Sequence, residues 1–378
     1  MSTTFPIQNF AAVSQNFISR GVASNFYSKS TFLAVLGALT LGKNKKKDML
    51  SIGRPDGGEI LTNGMVSEIQ RKKLGTVNAY LPRVQGFSTA NTAARTGSGR
   101  VSLPDVANKT TNSHGQANQF AAQFKWTHID TPILIWHEDK IRAGQEGTKE
   151  GAAIAMGQVI DESTEIASQD QIDWLSGKVW TGGSAITQTN DLWDEPLGIV
   201  EATKTNNTYA NVNRTTAGNE IWQSQVDSTF TAIDAKRLVD DANLTKGLRV
   251  KGQGADLILT TTALYQQFKQ QILSGGGVIL QNGLPEMAKL GVKKEMLQID
   301  NVLITYDPNC PANTAVVFDT SVWKFMVHPQ FNFRVTPFVD NTTTGIAKDA
   351  YDYAYISTRF MLTCDNPFLN VRYSALGT

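Results

Sequence analysis

The sequence predicts an α+β fold, in which strand-rich and helix-rich stretches follow one another in blocks. Three observations predict it. Two strand-like segments enclose a long polar run at residues 85–118, QGFSTANTAARTGSGRVSLPDVANKTTNSHGQAN. From Gly147 the apolar residues recur every three to four positions for about eight turns, the period of one long helix. The last part of the chain, from about Val322, returns to β-forming residues bounded by turn signals.

Bulk properties narrow the function classes. At roughly 100 to 200 residues per domain, a chain of 378 residues predicts two or three structural units. A hydrophobic content of 41% supplies a real core and excludes wholesale disorder. The net charge of +1 excludes a chain built mainly to clamp nucleic acid. Cys310 and Cys364 have no metal-ligand spacing and read as free thiols in a reducing compartment. The apolar run Thr31 to Leu41 is too short to span a bilayer, and Lys43, Lys45, Lys46 and Lys47 follow it. It reads as a packed helix with a solvated basic end, which the helix dipole favours. Cytoplasmic synthesis is the expectation.

Each element follows in turn. Phe5, Ile7, Phe10, Val13 and Phe17 give the N-terminal segment a weakly amphipathic character, suited to lying on another surface. Pro55, Asp56, Gly57 and Gly58 mark turns. Residues 65–81 and 119–136 read as extended and frame the polar run as one very long hairpin. In the long helix, Asp161, Glu162, Glu165, Gln169 and Asp173 occupy the sides away from the apolar stripe, and Asp170 interrupts it. Its far end is therefore expected to be less buried. Beyond the turn-rich residues 182–218, Trp222, Val226, Phe230 and Ile233 read as a helix face. A strand at 256–261, a helix at 263–273 and strands at 301–306 and 315–318 complete a compact α/β unit. Residues 322–327 and 331–337 read as a hairpin around His328-Pro329, followed by strands at 351–362 and 368–373.

In this order of elements the chain resembles the major capsid proteins of tailed bacteriophages, the Hong Kong-type fold shared with encapsulins and the herpesvirus shell floor. The residues that carry the resemblance are Glu195-Pro196-Leu197-Gly198-Ile199, Tyr209-Ala210-Asn211-Val212-Asn213-Arg214 with Trp222, Asp256 to Thr261 with Tyr265, and Tyr306-Asp307-Pro308 with Phe318-Asp319. Asn211 stands where related sequences often have Gly. The resemblance implies an N-terminal arm at 1–47, an extended loop at 65–126 and an axial domain at 186–319. A peripheral domain would comprise 48–64, 127–185 and 320–378, with a spine helix at 147–176. It also implies a homo-oligomer of pentamers and hexamers closing into an icosahedral shell around double-stranded DNA, a virion location, and assembly in the host cytoplasm. The short leader implies a separate scaffolding protein, beside portal and decoration proteins. An encapsulin-like compartment is the alternative, and a soluble α/β enzyme a more distant one.

Chemical motifs are sparse. Gly97-Ser98-Gly99-Arg100 and Gly275-Gly276-Gly277 lack the following Lys-Ser/Thr of a phosphate loop. His128, Asp130, His137, Glu138 and Asp139 have metal-ligand chemistry but read as a solvated strand exit. No nucleophile elbow is present. Lys72, Lys73 and Lys109 have no assignable Asn and carboxylate partners for an inter-subunit cross-link. The expectation is a non-enzyme without cofactor or metal.

Charge suggests instead how copies would meet. Arg71, Lys72, Lys73, Arg83, Arg95, Arg100 and Lys109 make the extended loop basic, whereas Glu150, Asp161, Glu162, Glu165, Asp170 and Asp173 make the long helix acidic. The loop of one subunit is expected to lie over the helix of the next. Exposed pairs contribute only about 0 to 1 kcal/mol each, so summation and steering would carry the effect. The competing reading is a solvated basic loop. Phe10 and Phe17 are the second candidate contact, with packing inside their own chain as the alternative.

Overall fold

The computed structural model describes residues 22, 25–43, 59–62, 79–80, 83–87, 117–136, 138–139, 142, 149–183, 194–216, 222–247, 254–274, 278–280, 284–290, 292, 294–340 and 351–377. In chain order the first elements are helix α1 (Thr31–Lys43), strands β1 (Ile60–Thr62), β2 (Ala79–Tyr80), β3 (Arg83–Phe87), β4 (Ala117–Ala121), β5 (Phe124–Lys125) and the ten-residue β6 (Thr127–Trp136). The 33-residue helix α2 (Lys149–Thr181) follows, then α3 (Ile199–Ala202), β7 (Thr208–Tyr209), β8 (Val212–Asn213), β9 (Gln225–Asp227) and α4 (Ala235–Gly247). Next come β10 (Leu257–Thr260), α5 (Thr262–Ser274), β11 (Val278–Leu280), α6 (Pro285–Lys289), β12 (Met296–Ile299), β13 (Val302–Tyr306) and β14 (Ala315–Phe318). The last elements are β15 (Trp323–Val327), β16 (Arg334–Val335), β17 (Val339–Asp340), the 14-residue β18 (Tyr351–Cys364) and β19 (Val371–Tyr373).

Two sheets organise these elements. A seven-stranded sheet runs β11-β12-β13-β10-β14-β19-β9. Its alternating side chains serve two cores: Ile258, Ile304 and Val317 pack with α4 and α5, whereas Leu257, Leu259, Val316 and Phe318 join the cluster containing α1 and α2. The second sheet is centred on β18, with β6 along one side and β15, β16 and β17 along the other, and β1 outside β15. The spine helix α2 packs against β6. As the alternation predicts, Ile133, Ile135, Ala354 and Ile356 are buried.

The strands at 256–261, 301–306 and 315–318, the helix at 263–273 and the long strand from Tyr351 lie where the sequence places them. The pairing of β3 with β4, Arg83 opposite Ala121 through Phe87 opposite Ala117, gives the expected hairpin stem. Its tip, residues 88–116, falls outside the described residues.

Four expectations are corrected. Trp222, Val226, Phe230 and Ile233 do not form a helix face; β9 pairs parallel to β19, and the Asp227 carboxylate accepts the Thr229 and Phe230 amides to turn the chain. Residues 322–327 and 331–337 do not pair with each other, because β15 and β16 each pair with β18. The final strand starts at Val371, after a 3-10 turn over residues 367–369, and pairs with β14 of the α/β sheet. The spine helix continues to Thr181, and its far end is the more buried one, with Val179 and Trp180 fully enclosed. Asp170 is exposed, so it interrupts only the solvent side. Nearly all of α1, together with Val22, Phe26 and Tyr27 before it, packs into the chain's own core, as the reading of Thr31 to Leu41 as a packed helix predicts. Fully burying each large apolar side chain contributes about 1.5 to 3 kcal/mol, which outweighs the polar residues scattered between them.

Candidate functional site

The motif residues act as joints of the chain. At the root of the extended hairpin, Phe124 packs edge-on against Tyr209 at 5.5 Å, and Tyr209 lies 5.7 Å from Trp222. Trp222 Nε1 donates to the Tyr209 carbonyl at 3.0 Å. Arg214 sits over the Tyr209 ring at 4.6 Å and donates to the carbonyls of Lys204 and Ala202 at 2.7 and 3.0 Å. Burial pushes its guanidinium down to about 10, and the nearby Tyr209 and Glu201 oppose that shift. Between β7 and β8, Ala210 and Asn211 have φ of 52° and 63°, the two-residue turn with positive φ at both positions. Asn tolerates that conformation best after Gly, so Asn211 preserves the turn. Its Nδ2 donates to Gln123 Oε1 at 2.8 Å, and Gln123 N donates to the Ala210 carbonyl at 2.8 Å. The turn therefore grips the segment leading into β5.

A second joint ends the spine helix. Gly198 N donates to the Gly182 carbonyl at 3.0 Å, and a Cβ on Gly198 would meet Gly182 N and Trp180 O at 2.8 Å. Glycine is needed at this crossing because the obstructing atoms are backbone. Glu195 pairs with Lys178 and accepts the Gly183 amide at 3.2 Å.

The third joint docks α1. The Asp307 carboxylate accepts the amides of Thr31 at 2.8 Å and Phe32 at 3.2 Å, although 276 residues separate Asp307 from Thr31. A carboxylate at a helix N-terminus satisfies amides that have no partner within the helix. Burial is the largest influence on Asp307 and raises its pKa, whereas the Asn309 amide bond and Lys294 lower it.

The predicted contact residues are only partly brought together. Along the spine helix Glu162, Glu165 and Asp173 are exposed and Asp161 is half-buried. Glu150 lies in the helix and Arg83 opens β3, but their side chains are outside the described set. Arg71, Lys72, Lys73, Arg95, Arg100, Lys109, Phe10 and Phe17 lie outside the described residues. Asp173 pairs within the chain, 2.8 Å from Lys29, a partner that sequence spacing did not suggest.

His128 and Asp130 share one face of β6. His128 Nδ1 accepts from Arg359 Nε at 3.0 Å, which leaves Nε2–H to donate to Asp130 Oδ2 at 3.1 Å. Ser357 also donates to Asp130. Among the described residues no group of three or more His, Cys, Asp or Glu side chains is placed to hold a metal ion, and His137 lies outside them. No helix among them is long and apolar enough to cross a membrane.

No protein-family profile matches the sequence, and no curated protein matches it. Solved structures do. The chain is similar to a protein in the capsid asymmetric unit of cyanophage A-1(L), with a TM-score of 0.50 and 13% identity over 82% of this chain and 93% of that one. Mycobacterium phage Che8 gives a TM-score of 0.40 at 10% identity, over 84% of this chain and 92% of that one. The SrpI encapsulin of Synechococcus elongatus gives 0.38 at 7% identity, over 79% and 82%. At these identities the likeness concerns the fold, and the cyanophage match carries it. The α+β architecture of this chain, with its extended hairpin, spine helix and α/β unit, is the Hong Kong-type capsid fold.

Proposed function

We propose that the protein is a major capsid protein: a structural, non-catalytic subunit that assembles through pentamers and hexamers into an icosahedral shell around the double-stranded DNA of a tailed phage. One observation carries the reading, the likeness to the cyanophage capsid subunit across 93% of that chain's length. Contacts between unlike surfaces close into rings when the rotation closes, and many modest interfaces then stabilise a shell together. Scaffolding, portal and decoration proteins are the partners this role requires, and assembly takes place in the host cytoplasm.

The test is co-expression of the chain with its scaffolding protein, followed by sedimentation, light scattering and negative-stain microscopy. Closed shells are the expected product, and a discrete small oligomer with a ligand pocket overturns the proposal. Nuclease-resistant DNA inside particles from infected cells supports genome packaging, whereas a protein cargo gives the encapsulin-like reading. Reversing Arg95 and Arg100 to Glu is expected to block assembly while the subunit stays folded. Normal shells from that variant at low salt remove the charge-paired loop and helix from the mechanism.

A further inference from the structure

The face of the β6–β18 pair that looks away from the core carries a ladder of aromatic and aliphatic side chains. In register, Trp136 stands opposite Tyr351, Leu134 opposite Tyr353 and Pro132 opposite Tyr355, with Val339 of β17 beside Tyr353. The rings follow one another at 5.4 Å from Trp136 to Tyr351, 6.2 Å to Tyr353 and 5.7 Å to Tyr355. Trp136 is 46% exposed, Leu134 41%, Val339 48% and Tyr355 39%. Together these four expose on the order of 350 Å², taking roughly 150 to 250 Å² for a large side chain, which is the size of the largest patch on a typical monomer. Tyrosine and tryptophan are also the side chains enriched at interface centres.

We propose that this ladder is a contact between two copies of the chain, each packing its ladder on the other's about a two-fold axis. The inference rests on the shell reading above and adds a specific surface to it. Three observations select the occupant.

The other large exposed hydrophobics among the described residues are Ile166, Leu244 and Leu273, one on each of α2, α4 and α5. Each stands singly on its helix, so among the described residues the patch that matches the ladder in size and chemistry is the ladder itself, as an isologous contact requires. The ladder carries no charge, so like meets like without repulsion. Its polar continuation, Asp130 with Ser357 and His128 with Arg359, is paired within the chain.

The outer side of β6 also disfavours strand addition. Thr336 N donates to the Tyr355 carbonyl at 2.9 Å and Thr336 Oγ1 accepts the Tyr355 amide at 2.8 Å, so Tyr355 directs its backbone away from β6. Pro132 opposite it is then a position whose N–H would face outward, and proline has none. A partner meets this element face-on. Two such ladders bury on the order of 700 Å², below the roughly 1,200 Å² of a stable free-standing interface, so the contact operates within an assembly held by others.

The test uses Tyr353→Cys and, separately, Tyr355→Cys, and follows maleimide labelling of the free subunit and of purified shells. The two native cysteines are buried in the subunit. Labelling is expected to slow by at least about tenfold on assembly, because reactivity follows exposure. Facing sheets stand about 10 Å apart, beyond the roughly 7 Å reach of a disulfide, so a bis-maleimide spanning about 8 Å is used to join copies. Covalent dimers formed in shells and absent from dilute subunit support the proposal. It is overturned if shells form and the introduced thiols label as fast as in the subunit, if they are already protected in the subunit, or if protection comes without dimers. Failure of the wild-type chain to form shells together with its scaffolding protein overturns the function reading instead.

Discussion

Asp256 offers a direct test of how burial sets the subunit's stability. Its carboxylate accepts Thr320 N at 3.0 Å and Thr320 Oγ1 at 2.6 Å, just ahead of β10. Burial raises its pKa from 3.8 to about 6; the Thr320 bonds pull it down and Asp319 pushes it up. A raised folded-state pKa means that the folded protein binds this proton more tightly than the unfolded chain. The stability it contributes is therefore fully present below pH 3.8 and lost as pH rises through about 6. At about 1.4 kcal/mol per pKa unit, the loss is about 3 kcal/mol. Asp256→Asn keeps the volume, still accepts the Thr320 amide and can donate to its hydroxyl, but does not ionise. The variant is expected to be more stable than the parent at pH 8 by up to about 3 kcal/mol, with the gap closing by about pH 4. Urea unfolding of the dilute subunit at pH 4, 6 and 8, followed by tryptophan fluorescence, measures it. A variant less stable than the parent by the same amount at every pH refutes the reasoning, because the Thr320 bonds would then outweigh burial.

Other outcomes follow from the joints. Asp307→Ala leaves the Thr31 and Phe32 amides without their buried acceptor and is expected to cost about 2 to 4 kcal/mol, read as a lowered melting temperature; Asp307→Asn costs less. Gly198→Ala forces a methyl against three backbone atoms between 2.8 and 2.9 Å away and is expected to destabilise by at least about 1 to 3 kcal/mol in urea unfolding. Asn211→Gly is expected to be neutral within about 1 kcal/mol, whereas Asn211→Val strains the turn and increases proteolysis near residue 123.

Much of this architecture was legible because periodicity reports burial directly. Strands such as Ala315 to Phe318, buried on both faces, and the long helix carry their patterns locally. The failures share a cause, which is pairing at long sequence separation. Nothing near Val371 tells that it will lie between β14 and β9, and the spacing of Trp222 and Val226 mimics a helix turn. The Tyr351, Tyr353 and Tyr355 alternation was visible, but the face turned inward was decided by Ile133 and Ile135 across the register. In consequence Asp352 is buried and the tyrosines look outward. Gly198 of the motif and Gly182 at the start of the turn-rich stretch gave no hint that they touch each other. Lys29 and Asp173, far apart in the chain, were equally invisible as a pair.

The position of β19 has a consequence for biosynthesis. Because this strand, residues 371–373, sits inside the seven-stranded sheet between β14 and β9, the sheet stays incomplete until those codons have been read and their product has cleared the ribosome's exit tunnel. A polypeptide terminated before them lacks the strand altogether. A chain truncated before residue 371 therefore leaves an open seam between β14 and β9.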